Sequence, residues 1–173
     1  MFDRQPRLVG DTVELRPLAP EDFEPLRVAA ADPLIWEQHP AARHEEPVFR
    51  GYFDEQLSSG GGLAIVDRAT GEVIGSSRYH GYDGARSEVE IGWTFLARRY
   101  WGGETNREVK RLMLDHAFGA VERVVFVVHP GNVRSQRAVE KLGATRIADR
   151  PDPAGGPPNR VYELAREPAH KPA

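Results

Sequence analysis

The sequence of 173 residues contains no cysteine. This absence excludes disulfide bonds, thiolate metal sites and a covalent cysteine nucleophile. No apolar run approaches the ~20 residues that a membrane-spanning helix needs. The N-terminal segment MFDRQPRLVG also lacks the apolar stretch of a signal peptide. We therefore expect a cytoplasmic protein with no membrane partner.

An excess of charge of either sign is also missing. The chain has 23 Lys and Arg against 26 Asp and Glu, a formal net charge of -3. This balance gives no general reason to expect nucleic acid as a partner. Apolar residues make up 40% and charged residues 28%, which is typical of a soluble globular chain. We expect one domain over residues 1–166 and a disordered tail over residues 167–173.

The spacing of apolar residues predicts a mixed α/β domain. The predicted strands cover residues 12–18, 63–66, 73–79, 88–96, 124–128, 145–148 and 160–164. The predicted helices begin near Pro20 and at residues 48, 107 and 133. Alternation in the segment EVEIGWTFL predicts that Val89, Ile91, Trp93 and Phe95 share one face of a strand.

The strand over residues 88–96 leads into a glycine turn and a helix. Gly102 and Gly103 let the backbone approach a ligand closely. The N-terminus of the following helix offers unpaired N–H groups and positive dipole charge. Five cationic residues surround this turn, namely Arg98, Arg99, Arg107, Lys110 and Arg111. The pattern suits a phosphate or diphosphate ligand, and the alternative is a glycine turn followed by a solvated basic helix face.

A second segment, NVRSQRAVEKLG, follows the apolar strand over residues 124–128. Asn132 is a good helix N-cap that is also able to hydrogen-bond a ligand amide. Ser135, one turn further on, is able to meet a leaving group. Simple capping is the alternative for both residues. His39 and His44 show no metal-ligand spacing, so no metal site is expected.

Together these segments resemble the Gcn5-related N-acetyltransferase (GNAT) superfamily, and most closely its RimJ/RimL-type branch. The core Tyr100-Trp101-Gly102 and the later Asn132-x-x-Ser135 pattern, which continues to Gly143, carry the likeness over about residues 8–165. The resemblance implies an α/β fold with a central mixed, mostly antiparallel sheet flanked by helices. It also implies that the sheet is splayed between the strands at about 88–96 and 124–128.

The resemblance implies acetyl-CoA as co-substrate. It assigns the phosphate cradle to Arg99, Gly102, Gly103, Glu104 and Thr105. It assigns the remaining CoA contacts to the backbone of Trp93, Thr94 and Phe95 and to the side chains of Asn132 and Arg137. Glu104 departs from the family's Gly or Ala, and its carboxylate repels a pyrophosphate if it points inward. Val139 stands where many members of the superfamily carry a Tyr general acid.

The implied reaction is direct attack of a primary amine on the acetyl thioester in a ternary complex. An amine near its reference pKa of about 8 to 10 is mostly protonated at neutral pH, so a base must take a proton. Glu90, on the strand face opposite Val89 and Ile91, is the first candidate and Glu88 the second; a surface carboxylate is the alternative for either. Ser135 is the candidate that protonates or hydrogen-bonds the departing CoA thiolate.

The acceptor is a protein N-terminus or a small amine. Trp36, Tyr79 and Tyr82 are expected to line its groove, with ordinary packing as the alternative. The loop that carries Glu37, Glu45 and Glu46 is acidic, which favours a cationic acceptor such as an antibiotic amine or a polyamine. The alternative from another functional class is a non-catalytic acyl-CoA-binding module. Glu104 and the missing Tyr motivate it, because both depart from the family's pattern. The resemblance also allows a homodimer, but no segment specifies its interface.

Overall fold

The structure, a computed structural model, describes residues 1–167 as eight strands and four α-helices. The strands are β1 (Leu8–Val9), β2 (Val13–Pro17), β3 (Gly62–Asp67), β4 (Val73–Asp83), β5 (Glu88–Leu96), β6 (Arg123–Val128), β7 (Thr145–Arg150) and β8 (Asn159–Ala165). The helices are α1 (Phe23–Ala29), α2 (Glu46–Ser58), α3 (Thr105–Phe118) and α4 (Val133–Lys141). Of the predicted tail, residues 168–173 lie outside the described residues.

All eight strands belong to one sheet in the order β1-β2-β3-β4-β5-β6-β8-β7. Neighbouring strands run antiparallel except β5 and β6, which are parallel. The connection between these two strands contains α3, as a parallel pair requires a crossover. The prediction of a mixed, mostly antiparallel sheet flanked by helices is confirmed.

Helices cover both faces of the sheet and create two apolar cores. On one face, α3 buries Val109, Met113 and Ala117, which are 0% exposed and spaced one helical turn apart. On the other face, α2 buries Phe49 and Phe53 in a separate cluster. Burial of each such large side chain stabilises the fold by roughly 1.5–3 kcal/mol. Packed helices therefore cover both faces of the sheet, and β5 contributes side chains to both clusters.

Strand β5 contains a bulge that alternation does not predict. Trp93 has a φ of 53°, and the register of β4 against β5 shifts between the pairs Ser76↔Phe95 and Arg78↔Gly92. Three steps along β5 therefore oppose two steps along β4, which is the pattern of a β-bulge. Phe95 packs in the α2 core instead of the α3 core that holds Ile91, so the predicted common face is wrong beyond Ile91.

Several boundaries also differ from the sequence prediction. Helix α3 begins at Thr105, two residues before the predicted start. The prediction missed these two residues because polar side chains in a first turn do not extend the apolar stripe on which it was based. Strand β4 continues to Asp83 instead of ending at Tyr79. No helix within residues 1–167 is long and apolar enough to cross a membrane.

Candidate active site

A gap opens in the centre of the sheet between β5 and β6. The two strands pair only at Glu88↔Arg123, Val89↔Val124 and Glu90↔Val125. Beyond these pairs β5 runs on to Leu96 and β6 to Val128 with no ladder between them in the described chain. Backbone groups on the facing edges therefore need another partner, and an extended amide-containing ligand is able to supply it. This is the splay that the family resemblance implied.

The open end of this gap leads to the glycine turn. Gly102 has a φ of 75°, a left-handed conformation that favours glycine. A Cβ atom added at Gly102 or Gly103 would meet nothing within 4 Å, so this backbone is accessible. Helix α3 follows at once, and its N-cap Glu104 makes no side-chain capping hydrogen bond. The first N–H groups of α3 are thus placed as an anion site beside the gap.

The side chain of Glu104 points into solvent. It is 80% exposed and forms an ion pair with Arg107 at 3.4 Å. The carboxylate therefore does not occupy the glycine turn, and the repulsion expected for an inward orientation is not present in this conformation.

The arginines predicted around the turn have carboxylate partners in the fold. Each of the four arginines is paired with a carboxylate: Arg98 with Asp32 at 3.5 Å, Arg99 with Glu72 at 2.7 Å, Arg107 with Glu104 at 3.4 Å and Arg111 with Asp115 at 3.8 Å. The fifth cation, Lys110, is buried at 7% exposure. Backbone N–H groups at the N-terminus of α3 are therefore part of the positive charge available to an anion at this turn.

Lys110 points into the protein instead of into solvent. Its Nζ donates to Thr94 Oγ1 at 2.6 Å, and that oxygen lies 2.7 Å from Ser77 Oγ. Burial lowers the pKa of Lys110 to about 7. Its position between the buried Val109 and Met113 places it at the edge of the apolar stripe, a signal that was available in the sequence.

The bulge places the predicted pantetheine-binding backbone at the gap. The hydroxyl of Tyr52 donates to the carbonyl oxygen of Trp93 at 2.7 Å, and burial raises the pKa of Tyr52 to about 12. Phe95 is 5% exposed and packs beside Trp36. A left-handed Trp costs about 1–3 kcal/mol and persists only when its surroundings fix it. The Tyr52 and Lys110 contacts, on either side of the strand, provide this constraint.

Glu90 lies at the last residue pair before the gap. It is 8% exposed, and burial raises the pKa of its carboxyl while Arg150 and Arg78 oppose that shift. The nearer of these, Arg150, places Nη1 at 3.7 Å from Glu90 Oε2. Glu88 is two residues further from the gap and lies 3.8 Å from a guanidinium of Arg123. Of the two candidate bases, Glu90 is the one that lies at the edge of the gap and whose carboxyl pKa is raised by burial.

A residue that the sequence prediction missed lies directly across from Glu90. His80 is the β4 partner of Glu90 in the register of β4 and β5. Arg78 Nη2 lies 3.0 Å from His80 Nδ1, and the guanidinium of Arg78 sits 3.9 Å above the ring of Trp93. Burial is the main cause of the lowered pKa of His80, and the positive charge of the nearby Arg78 lowers that pKa further. Because the predicted strand ended at Tyr79, His80 was not assigned to the face that carries Glu90.

The start of α4 carries the second predicted segment. Asn132 caps the helix, its Oδ1 accepting from the Ser135 N–H at 3.1 Å. Ser135 is half-buried and Arg137 is exposed. Arg134, the residue before Ser135, places its guanidinium 4.2 Å from the ring centre of Trp101 in the glycine-turn segment. The fold therefore brings the two predicted CoA-binding segments together beside the gap.

The three predicted groove aromatics do not line one groove. Trp36 is 6% exposed and its Nε1 donates to the Ala30 carbonyl at 2.8 Å. Tyr79 is fully buried in the other core, where its hydroxyl donates to the Met113 carbonyl. Ordinary packing accounts for both. Tyr82 is exposed and borders a cleft of about 610 Å³.

Two of the three carboxylates in the predicted acidic loop have an arginine partner. Glu37 lies 3.9 Å from Arg134, and Glu46 lies 3.9 Å from Arg50. Within residues 1–167, no group of three or more potential ligand residues is arranged to hold a metal ion.

Comparison with known proteins shows the family. The model of the acetyltransferase (GNAT) domain matches residues 12–145. No curated protein sequence matches the chain. The chain belongs to the GNAT family and is an acyltransferase.

Solved structures share this fold. An acetyltransferase from Agrobacterium tumefaciens str. C58 is 27% identical, with a TM-score of 0.69 over 93% of this chain and 95% of its own. A GCN5-related N-acetyltransferase from Brucella melitensis is 18% identical, with a TM-score of 0.82 over 93% and 79%. Mycobacterium smegmatis RimJ in complex with CoA-disulfide is 18% identical, with a TM-score of 0.74 over 99% and 93%.

Proposed function

We propose that this protein transfers the acetyl group of acetyl-CoA to a primary amine by direct attack within a ternary complex. The observation that carries the proposal is the unpaired stretch between β5 and β6, which opens beside the Gly102–Gly103 turn and the N-terminus of α3. Its edges offer amide groups to a pantetheine arm, and the turn offers N–H groups to a pyrophosphate. The structure of RimJ with CoA-disulfide supports a CoA ligand for this fold.

The residues present fit acetyl-CoA. The turn is open, because no neighbouring atom would meet a Cβ at Gly102 or Gly103 within 4 Å. Glu104 points away from it, and Arg134 links the turn to α4 through Trp101. Arg99, Thr105, Asn132 and Arg137 remain the proposed side-chain contacts to CoA.

In the proposed reaction, Glu90 accepts a proton from the ammonium form of the acceptor and leaves a free amine. The amine nitrogen attacks the thioester carbonyl carbon, forming a C–N bond as the C–S bond breaks. As the amide forms, its nitrogen loses a second proton. The departing thiolate takes up one proton, relayed or hydrogen-bonded by the Ser135 hydroxyl, and the proton on Glu90 returns to solvent, so the products are an N-acetyl amine and CoA. Positioning the two substrates lowers much of the barrier by itself.

Kinetics with a panel of amines tests this proposal. CoA release is followed with a thiol reagent, and the cysteine-free chain adds no background. We expect saturation by acetyl-CoA and by at least one amine, double-reciprocal lines that intersect, and an N-acetylated product by mass spectrometry. Parallel lines would indicate a covalent acetyl-enzyme and contradict direct attack. Binding of acetyl-CoA without turnover of any amine would instead favour the non-catalytic alternative.

A further inference from the structure

The cleft beside Tyr82 includes His80, which is the cross-strand partner of Glu90. It has a volume of about 610 Å³ and is lined by residues that include Phe2, Arg4, Ser59, Arg78, His80 and Tyr82. His80 and Glu90 are cross-strand partners, and such partners point to the same face with Cβ atoms about 5 Å apart. A group bound at His80 is therefore a short distance from the proposed position of the reacting amine.

Guanidinium groups dominate the charge around His80. Arg78 contacts it directly, and Arg4 and Arg150 lie close enough to lower its pKa further. The opposing carboxylates are Glu55, which accepts from Arg78 Nη1 at 2.9 Å, and Glu90, which faces Arg150. Arg4 is exposed and takes part in no ion pair within residues 1–167. Three guanidinium groups and two carboxylates thus surround His80, and of these Arg4 and Arg78 line the cleft.

The hydrogen bond from Arg78 fixes the tautomer of His80. A guanidinium has donors only, so Nδ1 of His80 must accept the hydrogen bond at 3.0 Å. In the neutral imidazole the proton then lies on Nε2, which is left as a donor. Arg78 itself is held in place, with its side chain 5% exposed and its Nε without a hydrogen-bond partner in the described chain. The site presents donors and positive charge in a fixed arrangement.

We propose that this cleft binds a carboxylate of the acceptor, so that the preferred acceptor is an amine that also carries an acidic group. The assignment deepens the proposed function and depends on it. An imidazole N–H and an exposed guanidinium are complementary to a carboxylate. A polyamine, by contrast, brings several positive charges toward Arg4, Arg78 and Arg150. In the acidic loop that favoured such a cation in the sequence, Glu37 and Glu46 are paired with arginines.

Matched acceptors test the assignment with wild-type protein. Glycine is compared with glycinamide, and the dipeptide Glu-Ala amide with Gln-Ala amide, because the members of each pair differ in one carboxylate. We expect kcat/KM to be at least about tenfold higher for the carboxylate member of at least one pair. Preference within the first pair alone points to a small amino acid, and preference within the second alone points to a peptide N-terminus. Either result supports the carboxylate site.

The variant Arg4→Gln tests the same site from the protein side. It should raise KM for the preferred acceptor about three- to tenfold and leave KM for acetyl-CoA unchanged. Arg7→Gln is the matched control, because Arg7 is 71% exposed and pairs with Glu14 outside the cleft. An equal effect of the two variants would overturn the proposal.

The outcomes separate this assignment from the proposed function. Turnover of spermidine, with no preference for carboxylates within either pair, overturns the acceptor assignment and leaves the acetyltransferase reaction intact. Failure to turn over any amine contradicts the proposed function, and the acceptor assignment with it.

Discussion

The side chains of Lys110 and Thr94 meet in the interior, with Nζ 2.6 Å from Oγ1. Lys110 is on α3, and Thr94 follows the left-handed Trp93 of β5, so this contact ties the helix to the bulge at the gap. Burial alone shifts the lysine pKa, from 10.5 to about 7. A buried cation without a carboxylate partner in the described chain lowers the free energy of unfolding. Charged Lys110 therefore destabilises the fold.

Lys110→Met should make the protein more stable at pH 6 and flatten its pH dependence. Between pH 7 and 10.5 the unfolded chain binds a proton on Lys110 that the native state does not. The wild-type free energy of unfolding should therefore rise with pH across this window, by up to about 1.4 kcal/mol per pH unit from this group. Urea unfolding at several pH values measures both effects.

Lys141→Met is the control for this substitution, since Lys141 is exposed at the end of α4. It should leave the slope between pH 7 and 10 as in the wild type. The account of Lys110 fails if its replacement by Met leaves that slope unchanged, or if it lowers stability at pH 6.

Tyr52→Phe should weaken the binding of acetyl-CoA. The change removes the donor to the Trp93 carbonyl, which lies at 2.7 Å, and so releases the bulge beside the gap. Losing a buried hydrogen bond of this kind costs about 1–3 kcal/mol of stability. Tyr79→Phe removes an equivalent bond, to the Met113 carbonyl, in the opposite core. We expect KM for acetyl-CoA to rise severalfold in the first variant only; equal KM values would show that the bulge does not position the ligand.

Glu90→Gln should lower kcat by about 10²-fold, within the range for loss of a general base. Burial raises the pKa of Glu90 above its ordinary 4.5, so wild-type kcat/KM should fall on the acid side with a midpoint above 4.5. The variant should lose this acid limb. Glu88→Gln, two residues away on β5, should retain both the rate and the limb. The opposite ranking would assign the base to Glu88.

Much of the fold was predictable because its signals are local. Apolar alternation, the glycines and the Asn132 cap marked the central strands and helices, and the order of two motifs indicated the family. The bulge at Trp93 was not predictable, because it depends on contacts from Tyr52 and Lys110, which are distant in sequence. One extra residue then moved Phe95 to the other face.

The candidate site was predictable in its backbone and less so in its charges. The Gly102–Gly103 turn lies where the sequence pattern placed it, and the gap lies where the family resemblance implied it. Ion pairing is a property of the folded surface, so the sequence could not show that Arg99 meets Glu72 or that Glu37 meets Arg134. For the same reason, the sequence could not show that Arg78, Arg4 and Arg150 lie close to His80.

Calorimetric titration with acetyl-CoA, comparing wild type with Gly103→Glu, tests the central claim most directly. Gly103 has space for a side chain and no left-handed φ, so the substitution adds a carboxylate to the proposed pyrophosphate site without backbone strain. Gly51→Glu adds the same group to open space on α2. We predict saturable binding in the wild type and in Gly51→Glu, and at least tenfold weaker binding in Gly103→Glu. Equal affinity in all three proteins, or no binding to the wild type, would contradict the account.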